Sequence, residues 1–241
     1  CTVSWSFKNQ GYRLYFNRDE QRSRTRAERP RLVEWKGTEL IAPIDPQGGG
    51  SWIALNRNGI IAFVLNNYAA TRNGDGAGRF RSRGEIPLTV ASQSDFLSCV
   101  RSIETFGNDS YRPFLVGVLS AQGGVTLTSW NGVTLEAVDV DRSFVTTSSY
   151  RSLEVESYRQ NRYEELKASN GEGWAWSQAM SYHQDLAHSD PAFNPLMARD
   201  DAETHCISVI TATSENSRFE YWERIADTNG FSREGVQSFG Q

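Results

Sequence analysis

The chain contains no run of 18 apolar residues, no CxxC pair, and none of the G-x-G-x-x-G, Walker or G-x-S-x-G patterns. The first absence argues against an integral membrane helix and the second against a zinc module. The third removes a phosphate-cradling loop and the serine elbow of the α/β-hydrolases. A secretory h-region is also missing, although a leader cleaved ahead of the first residue would leave no trace. Three cysteines, Cys1, Cys99 and Cys206, are odd in number and widely spaced, so a disulfide framework is not indicated and a reducing, cytoplasmic setting is expected. Of the three histidines, His183 and His188 stand five residues apart, which on a helix puts them on different faces instead of in the i, i+4 relation of a metal pair. No metal site and no cofactor are expected. Repeats, low-complexity tracts and a Pro/Ser-rich linker are absent, so residues 1–241 are expected to form a single domain.

What is present suits a soluble enzyme. Apolar residues make up 38% of the chain and aromatics 12%, enough for a substantial core. A net charge of −4 argues against a protein that coats nucleic acid or an acidic membrane. One local exception runs from residue 11 to residue 31, where seven arginines face three carboxylates. The run Arg22, Arg24, Arg26, Arg29 and Arg31 reads as a solvated loop, with a site wall for an anionic substrate or an RNA-binding patch as alternatives. Aromatics that would stack bases are not interleaved within it.

The first residue carries the most chemistry. A chain starting on Cys1 holds a thiol and an α-amine a few ångströms apart, with ordinary pKa values of roughly 8.5 and about 7.7–8.0, so the amine can draw the thiol proton near neutral pH. Taken alone, Cys1 is equally compatible with a removed initiator methionine or tag. A lipidated N-terminal cysteine would usually lead into a flexible polar tether, whereas Val3-Ser4-Trp5-Ser6-Phe7 alternates as a strand does. After the turn residues Asn9-Gln10-Gly11, Tyr12–Phe16 reads as a second strand, and a hairpin would bring Cys1 beside the polar cluster Asn17-Arg18-Asp19-Glu20 at its end. There a carboxylate could hold the amine and a guanidinium could favour thiolate; a solvated turn is the plain alternative.

Further on, Val33–Trp35 and Glu39–Ile41 read as short strands around Lys36-Gly37. Gly48-Gly49-Gly50 approaches the strand Trp52–Leu55, and Asn58-Gly59 marks a hairpin into Ile60–Leu65, a strand buried on both faces. Asn67 at the mouth of that strand is a candidate oxyanion donor, together with the next backbone N–H. Residues 69–82 read as a loop that walls or covers a site. Ser94–Glu104 reads as a helix capped by Ser94, with Phe96, Leu97, Val100 and Ile103 on one face. Strands at Phe114–Leu119, Val125–Trp130, Thr134–Val140 and Phe144–Thr147 form a meander suited to the second sheet of a sandwich. Helices follow at Leu153–Lys167 and around Trp174–Leu186, then strands at Cys206–Ala212 and Phe219–Arg224.

Four motifs in order, Asn17-Arg18-Asp19-Glu20, Gly49-Gly50-Ser51-Trp52, Leu65-Asn66-Asn67-Tyr68 and Ser82-Arg83-Gly84-Glu85, resemble the NRDE or "transport and Golgi organisation" family. That family in turn is similar to N-terminal-nucleophile hydrolases of the penicillin acylase and bile-salt hydrolase type. The resemblance implies an α+β fold, a four-layer αββα sandwich of two antiparallel sheets, and cleavage of a linear amide by Cys1 through a thioester. Cys1, Arg18, Asp19 and Asn67 are the expected catalytic residues; Asn17, Trp52, Tyr68 and Arg83 are the expected contacts to a small amide or acyl substrate. Two positions depart from the pattern. Ser148 stands where relatives carry an asparagine, and Thr204-His205-Cys206 replaces a segment with a second arginine. These departures leave open a non-catalytic member that binds or traffics a lipid, acyl-CoA or haem.

Overall fold

The computed structural model describes residues 1–8, 11–70, 80–108, 110–171, 173–225 and 228–239. Strands β1 (Thr2–Phe7) and β2 (Gly11–Gln21) form the opening hairpin, followed by β3 (Glu28–Trp35), β4 (Thr38–Ile44), β5 (Ile53–Asn56) and β6 (Ile60–Asn66). Helices α1 (Glu85–Ala91) and α2 (Phe96–Ile103) precede β7 (Phe114–Ser120), β8 (Val125–Trp130), β9 (Leu135–Ala137) and β10 (Phe144–Thr146). Helices α3 (Ser152–Asn170), α4 (Trp174–Ser177) and α5 (Met180–His183) lead to β11 (Ala202–Thr213), β12 (Ser217–Arg224) and β13 (Phe231–Phe239).

The strands make two antiparallel sheets, one of six in the order β10-β1-β2-β11-β12-β13 and one of seven running β3 to β9 in sequence order. Period-two alternation aims Val3, Trp5, Leu14 and Phe16 of the first sheet at Phe63, Leu65, Leu119 and Leu127 of the second, where they form the central core. The opposite face of β6 packs Ala62 and Val64 against Ile86, Leu88, Cys99 and Ile103 of α1 and α2. On the other side, Tyr15, Ile207 and Val209 pack against Tyr163, Trp174 and Tyr182 of the α3–α5 layer. The fold is thus α+β, a four-layer αββα sandwich. Among the described residues no helix is long and apolar enough to cross a membrane.

Several elements differ from the sequence reading. The meander from Phe114 is not the second sheet: Ile60 pairs with Ser120 and Asn66 with Phe114, so β7, β8 and β9 extend the sheet that β3–β6 begin. Only β10 crosses over, to pair with β1. The six-stranded sheet is completed instead by β11, β12 and β13, the last of which the sequence did not suggest. Helix α2 is capped by Asp95, whose carboxylate accepts from the Ser98 amide, and Leu97 points to solvent at 62% exposure while Cys99 is buried. The region around Trp174–Leu186 breaks into two single turns. The wall loop expected at residues 69–82 lies for its greater part, residues 71–79, outside the described residues.

Most important for the site, Asn17-Arg18-Asp19-Glu20 is not a turn. It lies inside β2, which is eleven residues long and flanked on both sides, by β1 and by β11. On one side β1 pairs only as far as Asn17, opposite Thr2, whereas on the other β11 pairs on through Arg18, Asp19 and Glu20 to Gln21 and carries the ladder through the tetrapeptide, whose side chains alternate between the two faces of the sheet.

Candidate active site

Thr2, the first residue of β1, pairs with Asn17, which sets Cys1 beside Arg18 and Asp19 of β2. The Cys1 α-amine lies 2.9 Å from Asp19 Oδ2 and donates to the Thr147 carbonyl at 3.1 Å. The Thr147 amide donates back to the Cys1 carbonyl at 3.0 Å, so the terminus is held from both sides. The thiol rests on the Asp19 peptide, with Sγ 3.4 Å from its amide nitrogen and 3.6 Å from its carbonyl oxygen.

Asp19 is fixed by more than the amine. Thr204 Oγ1 donates to its Oδ1 at 2.7 Å, and Arg159 Nη1 reaches its Oδ2 at 3.3 Å. Arg159 comes from α3 and is 1% exposed; it also donates to Thr2 Oγ1 and to the carbonyls of Phe193 and Ala192. Burial alone would raise the Asp19 pKa, but the amine, Arg159 and the Thr204 hydroxyl outweigh it and hold the carboxyl below its ordinary value. Burial lowers the amine's pKa below its usual value, and Asp19 opposes part of that shift.

Arg18 faces the inner side of the sheet. Its Nη2 donates to Asp45 Oδ2 at 2.9 Å and to Glu20 Oε2 at 3.1 Å, and its guanidinium lies 4.3 Å from the Trp52 ring centre. Its Nη1 is buried without a partner among the described residues. Asp45 in turn receives Arg24 Nε at 2.8 Å and the backbone amides of Gln47 and Gly48. Burial raises the Asp45 pKa, but Arg24, the Gly48 amide and Arg18 bring the net shift downward. Of the arginine-rich run, Arg24 therefore belongs to the site wall, while Arg22 and Arg26 pair with Glu203 and Arg29 with Glu234.

Two of the glycine motifs meet here. The Ser51 amide donates to the Gly84 carbonyl at 2.9 Å, and a Cβ on Gly50 would fall 2.5 Å from the Gly84 carbonyl carbon. Only glycine permits this backbone contact, which places Trp52 and Arg83 on one wall.

The cavity these residues enclose measures about 800 Å³ and is bordered by Cys1, Arg18, Asp19, Trp52, Tyr68 and Arg83, among others. Two expected residues are not on it. Asn17 is fully buried on the opposite face of the sheet, where its amide donates to the carbonyls of His183 and Pro195 and its Oδ1 meets His183 Nδ1. It anchors the helical layer and cannot touch a ligand in the cavity. The Asn67 amide is directed at β8, donating to Ser129 Oγ at 3.0 Å and to the Trp130 carbonyl, and Asn67 does not border the cavity. Its neighbour Asn66 does, with Nδ2 donating to the Tyr68 hydroxyl at 2.7 Å.

Ser148 borders the cavity but turns its hydroxyl to the Tyr150 carbonyl. His205 sits on a β-bulge between Thr204 and Cys206, buried, with neither ring nitrogen paired among the described residues. Burial, then Arg26 and Arg18, lowers its pKa to about 4, so the ring is neutral. His183 is held between Ser4 and Asn17 and is pushed down to about 3, chiefly by burial. No group of metal-ligating side chains occurs among the described residues.

Sequence reasoning missed Arg159, Asp45, Asn66 and Arg112 as cavity or Asp19 contacts. Arg159 did leave a signal. Val155, Arg159 and Tyr163, spaced by four, form the buried face of α3, and an arginine within such a stripe marks a buried anion.

The model of the family "Transport and Golgi organisation 2" matches residues 1–152. No curated protein matches the chain. Among solved structures, penicillin V acylase from Agrobacterium tumefaciens is similar with a TM-score of 0.55 at 12% identity, covering 94% of this chain and 84% of that one. A Caenorhabditis elegans ortholog of N-acylethanolamine-hydrolyzing acid amidase gives 0.61 at 11% identity, over 87% of this chain and 92% of that one. A variant of conjugated bile acid hydrolase from Clostridium perfringens gives 0.58 at 11% identity, over 100% and 97% respectively. The chain therefore belongs to the Transport and Golgi organisation 2 family, on the fold of the N-terminal-nucleophile hydrolases.

Proposed function

We propose that the protein is an N-terminal-cysteine amidohydrolase that cleaves a linear amide of a small molecule. The observation carrying this reading is the Cys1 amine on Asp19 at 2.9 Å, with the thiol on the same residue's peptide at the edge of a cavity of about 800 Å³. A buried amine with a lowered pKa is neutral in larger proportion near pH 7 and is therefore a competent base.

In the proposed sequence the amine takes the thiol proton, and Sγ attacks the amide carbonyl. Arg18, next to Asp19 in β2, is paired with Asp45 and Glu20, so activation of the thiol falls to the amine. The tetrahedral oxyanion collapses as the ammonium returns its proton to the leaving nitrogen, and the C–N bond breaks to leave a thioester. Water, deprotonated by the same amine, then attacks the thioester carbonyl, and the carboxylic acid departs as the thiol is restored. Asp19 orients the amine throughout, and Thr204 and Arg159 fix Asp19. For the oxyanion, the amide of Asn66, a residue that borders the cavity, is the proposed donor in place of the expected Asn67. The reading requires a free α-amine on Cys1 in the working protein, and the three unpaired thiols suit a reducing compartment.

A second reading, a non-catalytic binder of a small molecule, is favoured by one observation. The Asn67 amide, the expected oxyanion donor, and the Ser148 hydroxyl, which stands where relatives carry an asparagine, are both bonded elsewhere. Turnover of a panel of N-acyl amides by wild type and Cys1→Ala separates the two: hydrolysis lost in Cys1→Ala supports the enzyme, and saturable binding with no turnover by wild type supports the binder.

A further inference from the structure

We propose that the cavity receives an anionic group of its substrate, a carboxylate, sulfonate or phosphate, between Arg83 and Arg112 beside Tyr68. The inference rests on the amidohydrolase reading of the same cavity and names the substrate class it serves.

Seven arginines border the cavity against four carboxylates. Arg18 and Arg24 are neutralised by Asp45 and Glu20, Arg159 by Asp19 and Arg199 by Asp201. Arg81 pairs with Glu85 behind the wall. Arg83 and Arg112 form no ion pair among the described residues; burial first, and then Arg112, lowers the Arg83 pKa, while Tyr68 and Glu20 oppose part of that shift. Two like charges on one concave wall repel, and an anion between them removes that cost while gaining charge-assisted hydrogen bonds.

The wall is also preorganised. Arg83 is held by one bond, Nη1 to the Pro113 carbonyl at 2.9 Å, which leaves its other N–H groups available. The Arg112 guanidinium lies 5.1 Å from the Phe80 ring centre, a contact that limits its swing. Tyr68 accepts a bond from Asn66 at 2.7 Å, so its own hydroxyl proton remains to donate. Each guanidinium is a planar fork of N–H donors, and two of them with one hydroxyl on the same cavity suit a two- or three-oxygen anion better than a neutral amide.

Calorimetric titration of Cys1→Ala, in which hydrolysis plays no part, tests this with three ligands. N-octanoylglycine carries a carboxylate on the amine side of the amide, N-butylsuberamic acid carries it on the acyl side, and N-octanoylglycinamide is neutral. At least one acid is expected to bind about tenfold tighter than the neutral amide, and adding Arg83→Gln or Arg112→Gln removes that preference. Which acid shows it reports which side of the scissile bond faces the arginines. Equal affinity for all three ligands, no saturable binding of either acid, or a preference that survives both substitutions together would overturn the proposal. If Arg83→Gln melts early, Arg83→Lys and Arg112→Gln carry the comparison, with a weakened acid preference expected and an unchanged one contradicting. An acid preference in Cys1→Ala without turnover by wild type removes the hydrolase reading alone, whereas turnover without an acid preference removes the anion site alone.

Discussion

Asp19 receives three donors from three separate parts of the chain: the terminal amine, Arg159 on α3 and Thr204 on β11. Replacing it by asparagine keeps the shape and removes the charge. Misplacing a reacting group commonly costs about a hundredfold, so Asp19→Asn is expected to lower kcat by at least about that factor in a steady-state assay. The pH profile gives a sharper readout. Because the amine's pKa is lowered from 8.0, turnover should rise with pH along a limb centred below 8.0. Since Asp19 is the charge that pulls the amine's pKa back up, Asp19→Asn should move that limb further down, and a limb at or above 8.0 in wild type would contradict the amine as base. Arg159→Met leaves Asp19 without its buried guanidinium. Breaking a buried ion pair from one side costs roughly 3–5 kcal/mol, which urea unfolding would read as a lower midpoint.

At the scale of elements, the two glycine motifs make one structural joint. Gly50 and Gly84 touch backbone to backbone, and α1 begins immediately after that contact. Gly50→Ala must push the two segments apart, with an expected loss of about 1–3 kcal/mol and a weakened grip of the cavity wall on ligand. Thermal unfolding and ligand titration of the variant would show both effects; an unchanged melt would mean that the loops yield freely. The strand β2 explains much of what the sequence disclosed and withheld. Its apolar half, Tyr12–Phe16, has the alternation of a strand. Its polar half reads as a turn until β11 is known to pair with it as far as Gln21, because buried polar residues are tolerable only where partners exist. Hairpin partners such as β3–β4 and β5–β6 were legible from turn residues, whereas the sheet to which β7–β9 belong depends on long-range pairing that no local pattern encodes.

For the whole molecule, acid stability follows from the same carboxylates. Asp19 and Asp45 both titrate below their ordinary value of 3.8 when folded. Groups with depressed folded pKa contribute stability that is full above the unfolded pKa and lost as pH falls through the folded one. Stability should therefore hold down to about pH 4 and decline below it, and Asp45→Asn should flatten that decline in chemical unfolding experiments at several pH values. The four-layer architecture was legible through the motif resemblance, but not which amide borders the cavity. Asn66 and Asn67 are adjacent in sequence and point to different surroundings, a distinction set by where β6 ends against β7 and β8. Arg159 was hidden for a similar reason: its partner lies 140 residues away, and only the helix stripe hinted at it.

In the proposed mechanism Cys1 forms a thioester with the acyl part of an amide substrate. Intact-mass spectrometry of acid-quenched protein, mixed with N-acyl amides and followed by peptide mapping, tests it most directly. An unblocked N-terminus is expected, with a transient acyl adduct on Cys1 that hydroxylamine removes and that Cys1→Ala lacks. A chain whose α-amine is acetylated or preceded by methionine, or wild-type turnover with no adduct and no loss in Cys1→Ala, would contradict it.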